Sequence, residues 1–483
     1  MFRQTNLHIT NRNIPVIIFL LASTIRLFLI SQIVDFYDVD EFVNLSQGKY
    51  LARGWIPYVD FVSNHPPGIA ILFSLPHLFF PQCWLGMRIF TAVIDSITSV
   101  LLYKIAMNIF DNRAAIITAL LYIFNPIAIH TSILVMQEPY VLFFVIAAVY
   151  FLNSKNPRLA IAGLLIAASI FIKYLAILLL PAYFLIVKKE DRVKLFISIF
   201  TFMLLFFTPF ILEISKIISQ TIIFQTNRQE YSLVSKVLNI LIFGILFQPF
   251  AILGFGKIKK EHNWIYIGYL SMLSFFLLPR IYYHYFLLIV PFACLLSTKA
   301  IIFSAKILFK PFLQFLPIYP KPHLMLKNMT LSIIIILCFG LLIASFLSLL
   351  SNPIHLGTHK LSDIKEKESI IEFVENNTTV YDPILTDYSE YAYLTNRISL
   401  FGYFWNAKYS LNRDDLFSSL EKVKLVIVTR KYMYLNNSIQ IFYNYPLDFV
   451  LHLDKNYHKA QFNETTIYLI QKEKINIRDE TKT

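Results

Sequence analysis

"DVDEFVNLSQGKYLARGWIPYVDFVSNHPPG", residues 38–68, follows directly on an apolar run able to cross a membrane. Asp35, Asp38, Asp40 and Glu41 stand at the mouth of that first span, and a polar, aromatic loop follows that ends in His65, Pro66, Pro67 and Gly68. What the stretch does depends on the side of the membrane it faces, so the rest of the chain has to orient it.

Of the 483 residues, 57% are hydrophobic and 15% charged, whereas soluble domains carry about a quarter charged residues. Apolar runs near the length that crosses about 30 Å of hydrocarbon recur through residue 350. They lie at 14–34, 84–108, 114–132, 139–152, 159–174, 175–187, 195–212, 237–255, 264–279, 284–304 and 329–350, about eleven spans of an α-helical polytopic membrane domain, 1–350. The pairs 114–152 and 159–187 read as tight hairpins or re-entrant pieces. Cys83, Cys294 and Cys338 have no metal-site spacing. The first run has no small-residue cleavage site and reads as a retained span.

The net charge of +13 does not point to nucleic acid. Residues 351–483 hold 16 Lys/Arg and 17 Asp/Glu, so the excess lies in the membrane part. There it concentrates in alternate short loops, as the positive-inside rule predicts. With Arg3 and Arg12 cytoplasmic, the inner turns carry Lys104, Arg113, Lys155, Arg158, Lys188, Lys189 and Lys257. The opposite loops hold Asp40, Glu41, Asp60, Glu138, Glu213 and Glu230. The opening stretch is therefore expected outside, and so is the tail, 351–483. Glycosylation acceptor patterns at Asn376, Asn377, Asn436 and Asn463 agree weakly with that.

The tail reads as a small extracytoplasmic α/β domain. "SDIKEKESIIEFVENN" is an amphipathic helix, "DDLFSSLE" a capped helix and "VKLVIVT" a buried strand. "FVLHLDK" and "TTIYLIQK" read as two closing strands. In the opening loop, "EFVNLSQGKYLARG" reads as a surface helix stopped by Gly54, with Phe42, Val43, Leu45 and Leu51 dipping into the membrane interface.

Ionisable residues within spans cost a few kcal/mol each and need a reason. Arg88 and Asp95 share one helix face and, with Arg26, read as pairs between helices. Glu138 in "SILVMQEPYVLFF" is either a helix start with Pro139 behind it or a second outer carboxylate. Lys173 in "GLLIAASIFIKYL" either snorkels or holds a phosphate. In "LLPRIYYHYFLLIVP", Arg280 and His284 are four apart and suit an anion, while Tyr282 and Tyr283 fit an aromatic belt. One carboxylate at the start of the loop helix would serve as an N-cap, but four acids followed by Trp55, Tyr58, Asp60 and His65 exceed that need.

The outer set is thus Asp40, Glu41, Glu138, Lys173, Arg280, His284 and His65. A carboxylate can take a proton from a hydroxyl, and cations can stabilise a departing phosphate. Trp55 and Tyr58 suit the apolar face of a sugar, with Asp60 beside them as a polar contact. No nucleotide sugar is supplied outside the cell, so a glycosyl donor there would be carried on a lipid phosphate.

These motifs resemble the GT-C-type glycosyltransferases, in particular the protein mannosyltransferases, the lipid A aminoarabinose transferase and their bacterial and archaeal relatives. The likeness rests on the opening stretch, on "SILVMQEPYVLFF" and on "RIYYHYFLLIVP", in that order, over residues 14–300. It implies that Asp40 is the catalytic acid of the first loop with Glu41 as partner, and that Glu138 is the second-loop acid. Where that family often has Lys before Pro-Pro this chain has His65, which leaves phosphate binding to Lys173, Arg280, His284 and His65 together. The implied reaction is an inverting displacement by an acceptor hydroxyl (glycan, lipid or protein) on a polyprenyl-phosphate sugar, hexosyl or pentosyl. No cofactor is required on this reading; a divalent metal between the carboxylates is allowed, but no ligand spacing demands it. Two rival readings are a flippase for lipid-linked sugars, for which no internal repeat speaks, and a scaffold whose outer domain binds a surface polymer.

Overall fold

The computed structural model describes residues 13–32, 39–80, 82–226, 230–246, 248–314, 340, 361–386, 389–399, 417–435, 438–443, 447–462 and 465–470. Asp35, Asp38, Cys338, Asn436, Asn463 and all but one residue of the expected span 329–350 lie outside these. The chain runs through α1 (Ile14–Gln32), α2 (Val39–Ala52), α3 (Gly68–His77), α4 (Trp84–Ile109), α5 (Asn112–Ile123), α6 (Pro126–Ser132), α7 (Glu138–Leu152) and α8 (Leu159–Ile172). Two compact units divide it. One is Met1–Phe36, Trp84–Leu212 and Thr226–Gly357; the other is Tyr37–Cys83, Glu213–Gln225 and Thr358–Thr483.

In the first unit α4 packs against α1, α5 and α7, and α8 lies between α7 and the helix Arg192–Phe207. Helix starts follow local chemistry. Asp111 accepts the Ala114 amide ahead of α5, and Asn125 accepts the Ile127 and Ala128 amides ahead of α6, whose first residue is Pro126. Among the described residues, Ile14–Gln32, Trp84–Ile109, Lys189–Thr226 and Tyr283–Ser304 are long and apolar enough to cross a membrane. The pair α5 and α6, bent by 57° at its break, makes a fifth when taken as one span. Other expected spans correspond to shorter apolar pieces, among them α7, α8 and Tyr174–Ile186. The helix Arg192–Phe207 leaves Val193, Phe196, Ile197, Phe200 and Leu204 exposed, an apolar face suited to lipid. The chain is an integral membrane protein.

The mid-span charges are paired as their cost requires. Arg26 Nη2 lies 2.5 Å from Asp95 Oδ2, and the Tyr122 hydroxyl donates to the other carboxylate oxygen. Arg26 and Asp95 are both fully buried. Arg88 is buried with its guanidinium 5.1 Å from the Trp84 ring centre.

The second unit holds α2 against α3, and a sheet of β1 (Ile384–Thr386), β2 (Leu425–Leu435), β3 (Ser438–Tyr443), β4 (His458–Phe462) and β5 (Thr465–Leu469). The order is β1-β2-β5-β4, with β1 parallel to β2, β5 antiparallel to β2 and β4, and β3 antiparallel to the far half of β2. The amphipathic segment forms the helix Leu361–Asn377, which buries Ile370 and Val374 on one side of the sheet. The helix Leu447–Asn456 buries Phe449, Val450 and Leu453 on the other.

Two expectations change here. "FVLHLDK" is helical, not a strand: Phe449, Val450 and Leu453 face the core while Leu451 is 57% exposed, a helical spacing that a short apolar run conceals. The apolar residues of α2 do not dip into a membrane interface, because Phe42, Val43 and Leu45 are buried within the protein. The exposed apolar face belongs to α3 and the residues after it, through Ile71, Leu75, Leu78 and Phe79.

Candidate active site

The first unit gathers three of the expected residues. Glu138 opens α7 with Pro139 behind it, so the helix-start reading of its position holds. Its carboxylate is also buried, and Oε1 accepts from Lys173 Nζ, with His284 Nε2 3.6 Å from the same oxygen. Lys173 reaches it because α8 stops at Ile172. Lys173 itself is extended (φ −151°, ψ 120°) before the tight turn Tyr174–Leu179, so its side chain leaves the helical ladder. It points inward rather than snorkelling, and its ammonium stands 4.8 Å from the Tyr285 ring centre. Tyr282 stacks on His284 at 5.4 Å, and the Tyr283 hydroxyl bonds His130 Nδ1 at 2.7 Å. "RIYYHYFLLIVP" thus supplies an aromatic frame around the buried acid. Arg280 lies with its guanidinium 5.6 Å from the Tyr231 ring centre, and Lys236, which sequence reasoning passed over, pairs with Glu230 at 2.6 Å.

The second unit holds the first-loop residues. Asp40 and Glu41 lie in the first turn of α2; Asp40 is half-buried and Glu41 wholly buried. Trp55 packs on an aromatic cluster of Tyr50 and Phe61, with Ile398 alongside. Tyr58 takes a left-handed conformation (φ 69°) and donates its hydroxyl to the His65 carbonyl at 2.6 Å, which closes the loop ahead of Pro66 and Pro67. Asp60 is exposed, and its Oδ2 accepts the Ile56 amide at 2.7 Å. His65 is half-buried. Gln220 and Gln225 donate to the Tyr58 and Asn64 carbonyls. No local signal in the sequence marks those two glutamines, since they stand more than 150 positions away.

The far end of α2 is tied to residues 389–399. Lys49 is 1% exposed, donates to the Tyr393 carbonyl at 2.6 Å and lies 4.7 Å from the centre of that ring. Burial, then the Arg53 and Arg397 charges, push Lys49 down to about 6. Burial lowers His77 to about 4 and raises the Tyr393 phenol. Among the described residues no group of three His, Cys, Asp or Glu side chains is arranged to hold a metal ion.

Residues 64–213 match the family model described as dolichyl-phosphate-mannose-protein mannosyltransferase. A GPI mannosyltransferase 1 of Kluyveromyces lactis is 30% identical over 161 residues, which is 33% of this chain and 39% of that relative. The fold resembles the crystal structure of ArnT from Cupriavidus metallidurans bound to undecaprenyl phosphate, with a TM-score of 0.66 at 11% identity over 94% of this chain and 98% of that one. It also resembles the archaeal oligosaccharyltransferase AglB from Archaeoglobus fulgidus in complex with an inhibitory peptide and a dolichol-phosphate, with a TM-score of 0.56 at 10% identity over 90% of this chain and 75% of that one. The chain has the polytopic membrane fold seen in these GT-C structures. The expected resemblance to the GT-C-type glycosyltransferases is thereby met.

Proposed function

We propose that this protein is a glycosyltransferase that moves a sugar from a polyprenyl-phosphate donor to an acceptor hydroxyl at the extracytoplasmic face, with inversion. The observation that carries this reading is the buried Glu138–Lys173–His284 group, which lies partly inside the segment matched by the mannosyltransferase family model. The architecture that goes with it is an eleven-span domain, 1–350, with the N-terminus cytoplasmic, and an extracytoplasmic α/β domain, 351–483.

In the reaction Asp40 accepts the proton of the acceptor hydroxyl, and Glu41 supports that carboxylate. The hydroxyl oxygen forms the new bond at the anomeric carbon as the bond from that carbon to the phosphate oxygen breaks. The electron pair leaves on the polyprenyl phosphate, which Lys173, Arg280, His284 and His65 bind as cations and donors. Glu138 orients Lys173 for this, and the Tyr282 and Tyr285 rings hold His284 and Lys173 in place. Trp55, Tyr58 and Asp60 belong to the loop that receives the sugar or acceptor. No divalent ion enters these steps, so transfer should continue in EDTA; a loss restored by magnesium or manganese would contradict that.

The test supplies membranes that contain the protein with a panel of radiolabelled polyprenyl-phosphate hexoses and pentoses. One label should leave the lipid fraction for an acceptor, in excess of membranes lacking the protein. No excess consumption of any label would overturn the reading.

A further inference from the structure

The contact between α2 and residues 389–399 does not belong to the chemistry just described, yet it holds the helix that carries Asp40 and Glu41. We propose that Tyr393 and Lys49 are positioning residues for the first-loop carboxylates, and that the segment 389–399 is a working part of the catalytic machinery. The proposal rests on the glycosyltransferase reading for the meaning of "catalytic"; the clamp itself does not.

Tyr393 touches both ends of α2. Its ring meets Phe42, the residue after Glu41, edge-on at 5.5 Å. Its carbonyl receives Lys49 Nζ at 2.6 Å. Its hydroxyl accepts the Cys83 amide at 3.2 Å and bonds His77 Nε2 at 3.1 Å, which ties in the end of α3. Beside it the Ser399 amide donates to the Tyr50 hydroxyl at 3.1 Å, and Arg53 donates to the Asn396 carbonyl at 3.1 Å. Asp40 and Lys49 are nine residues apart, about 13 Å along a rigid helix. A shift at the Lys49 end therefore swings the carboxylate end, and misplacement of about 1 Å costs as much as a hundredfold in rate.

The clamp also has a chemical weak point. Lys49 has a carbonyl and a ring as partners, and among the described residues no carboxylate pairs with it. The charged and titratable groups around it are Tyr50 and Arg53 on α2, His77 on α3, Cys83 after it, and Tyr393 and Arg397 opposite, while Glu41 acts on Tyr393 from the start of α2. Arg53 and Arg397 act against a charge on Lys49. Burial, more than those guanidiniums, keeps Lys49 neutral in the closed contact, so a proton taken up on opening favours opening as pH falls from the ordinary lysine range to about 6, with no further gain below that.

The experiment measures kcat and donor KM from pH 5 to 8.5 for wild type, Lys49→Met and Tyr393→Phe, with hydrogen exchange of the α2 amides in each. Opening of α2 in wild type, read from exchange corrected for the intrinsic rate at each pH, should rise as pH falls from 8.5 to about 6 and level off below that. Lys49→Met should lack that pH dependence of α2 opening and show kcat down about tenfold at neutral pH with donor KM nearly unchanged. Tyr393→Phe, which keeps the ring and the carbonyl, should lower kcat less and speed α2 exchange. Wild-type kcat in Lys49→Met, with the same pH dependence of α2 opening as wild type, overturns the proposal. Should Lys49→Met not fold, unaltered kcat and α2 protection in Tyr393→Phe overturns it. A wild type that transfers no sugar defeats the glycosyltransferase reading instead, and α2 exchange then decides the clamp: faster exchange in the variants upholds it, unchanged protection rejects it.

Discussion

Asp95 shows how a single side chain meets the cost of a charge within a span. Its carboxylate takes Arg26 on one oxygen and the Tyr122 hydroxyl on the other, with no access to water. Removing one partner leaves an uncompensated buried charge, a loss of about 3–5 kcal/mol. Asp95→Ala should therefore melt well below wild type in detergent, and Arg26→Met combined with Asp95→Leu should recover most of the difference. Equal melting of Asp95→Ala and wild type would contradict this account of the pair. The spacing of Arg88 and Asp95 showed that polar groups share a helix face, but not that the partner would be Arg26, because partner choice is made by packing 69 positions away. Lys173 is a similar case. The sequence placed it at a span end, where snorkelling is common. Only the break after Ile172 shows why it turns to Glu138 instead.

At the level of elements, α2 and α3 approach so closely that Gly48 is required between them. A Cβ at Gly48 would stand 2.6 Å from the Phe73 carbonyl carbon, and backbone cannot rotate away as a side-chain tip can. Gly48→Ala should cost about 1–3 kcal/mol, read as a lower melting temperature. Because it parts the two helices of the first loop, it should also lower transfer. An unchanged melting temperature would show that the helices can separate freely. The composition of α2 suggested an interfacial helix, since Phe42, Val43 and Leu45 make it amphipathic. Amphipathicity says that a face is buried, not what buries it, and here protein does. The same ambiguity lies behind "FVLHLDK", where four apolar positions in seven fit either period until Leu451 is seen to face outward.

Over the whole molecule, the membrane class and the order of the motifs were legible because hydropathy and loop charge are summed over many residues. The long-range ties were not: Lys49 to Tyr393 spans 344 positions and Gln220 to Tyr58 spans 162. Sidedness is a separate claim with its own test. Val59 is 45% exposed in the first loop. In a background with Cys83 replaced by Ala, Val59→Cys should react with an impermeant maleimide on intact cells; labelling only after lysis would place the loop inside.

The proposed chemistry converges on the first-loop carboxylate, so the most direct measurement compares wild type with Asp40→Asn in membranes matched for protein level and insertion. Transfer of labelled sugar from the polyprenyl-phosphate donor should fall by about a hundredfold or more, the usual worth of a general base. Undiminished transfer by Asp40→Asn would contradict the account.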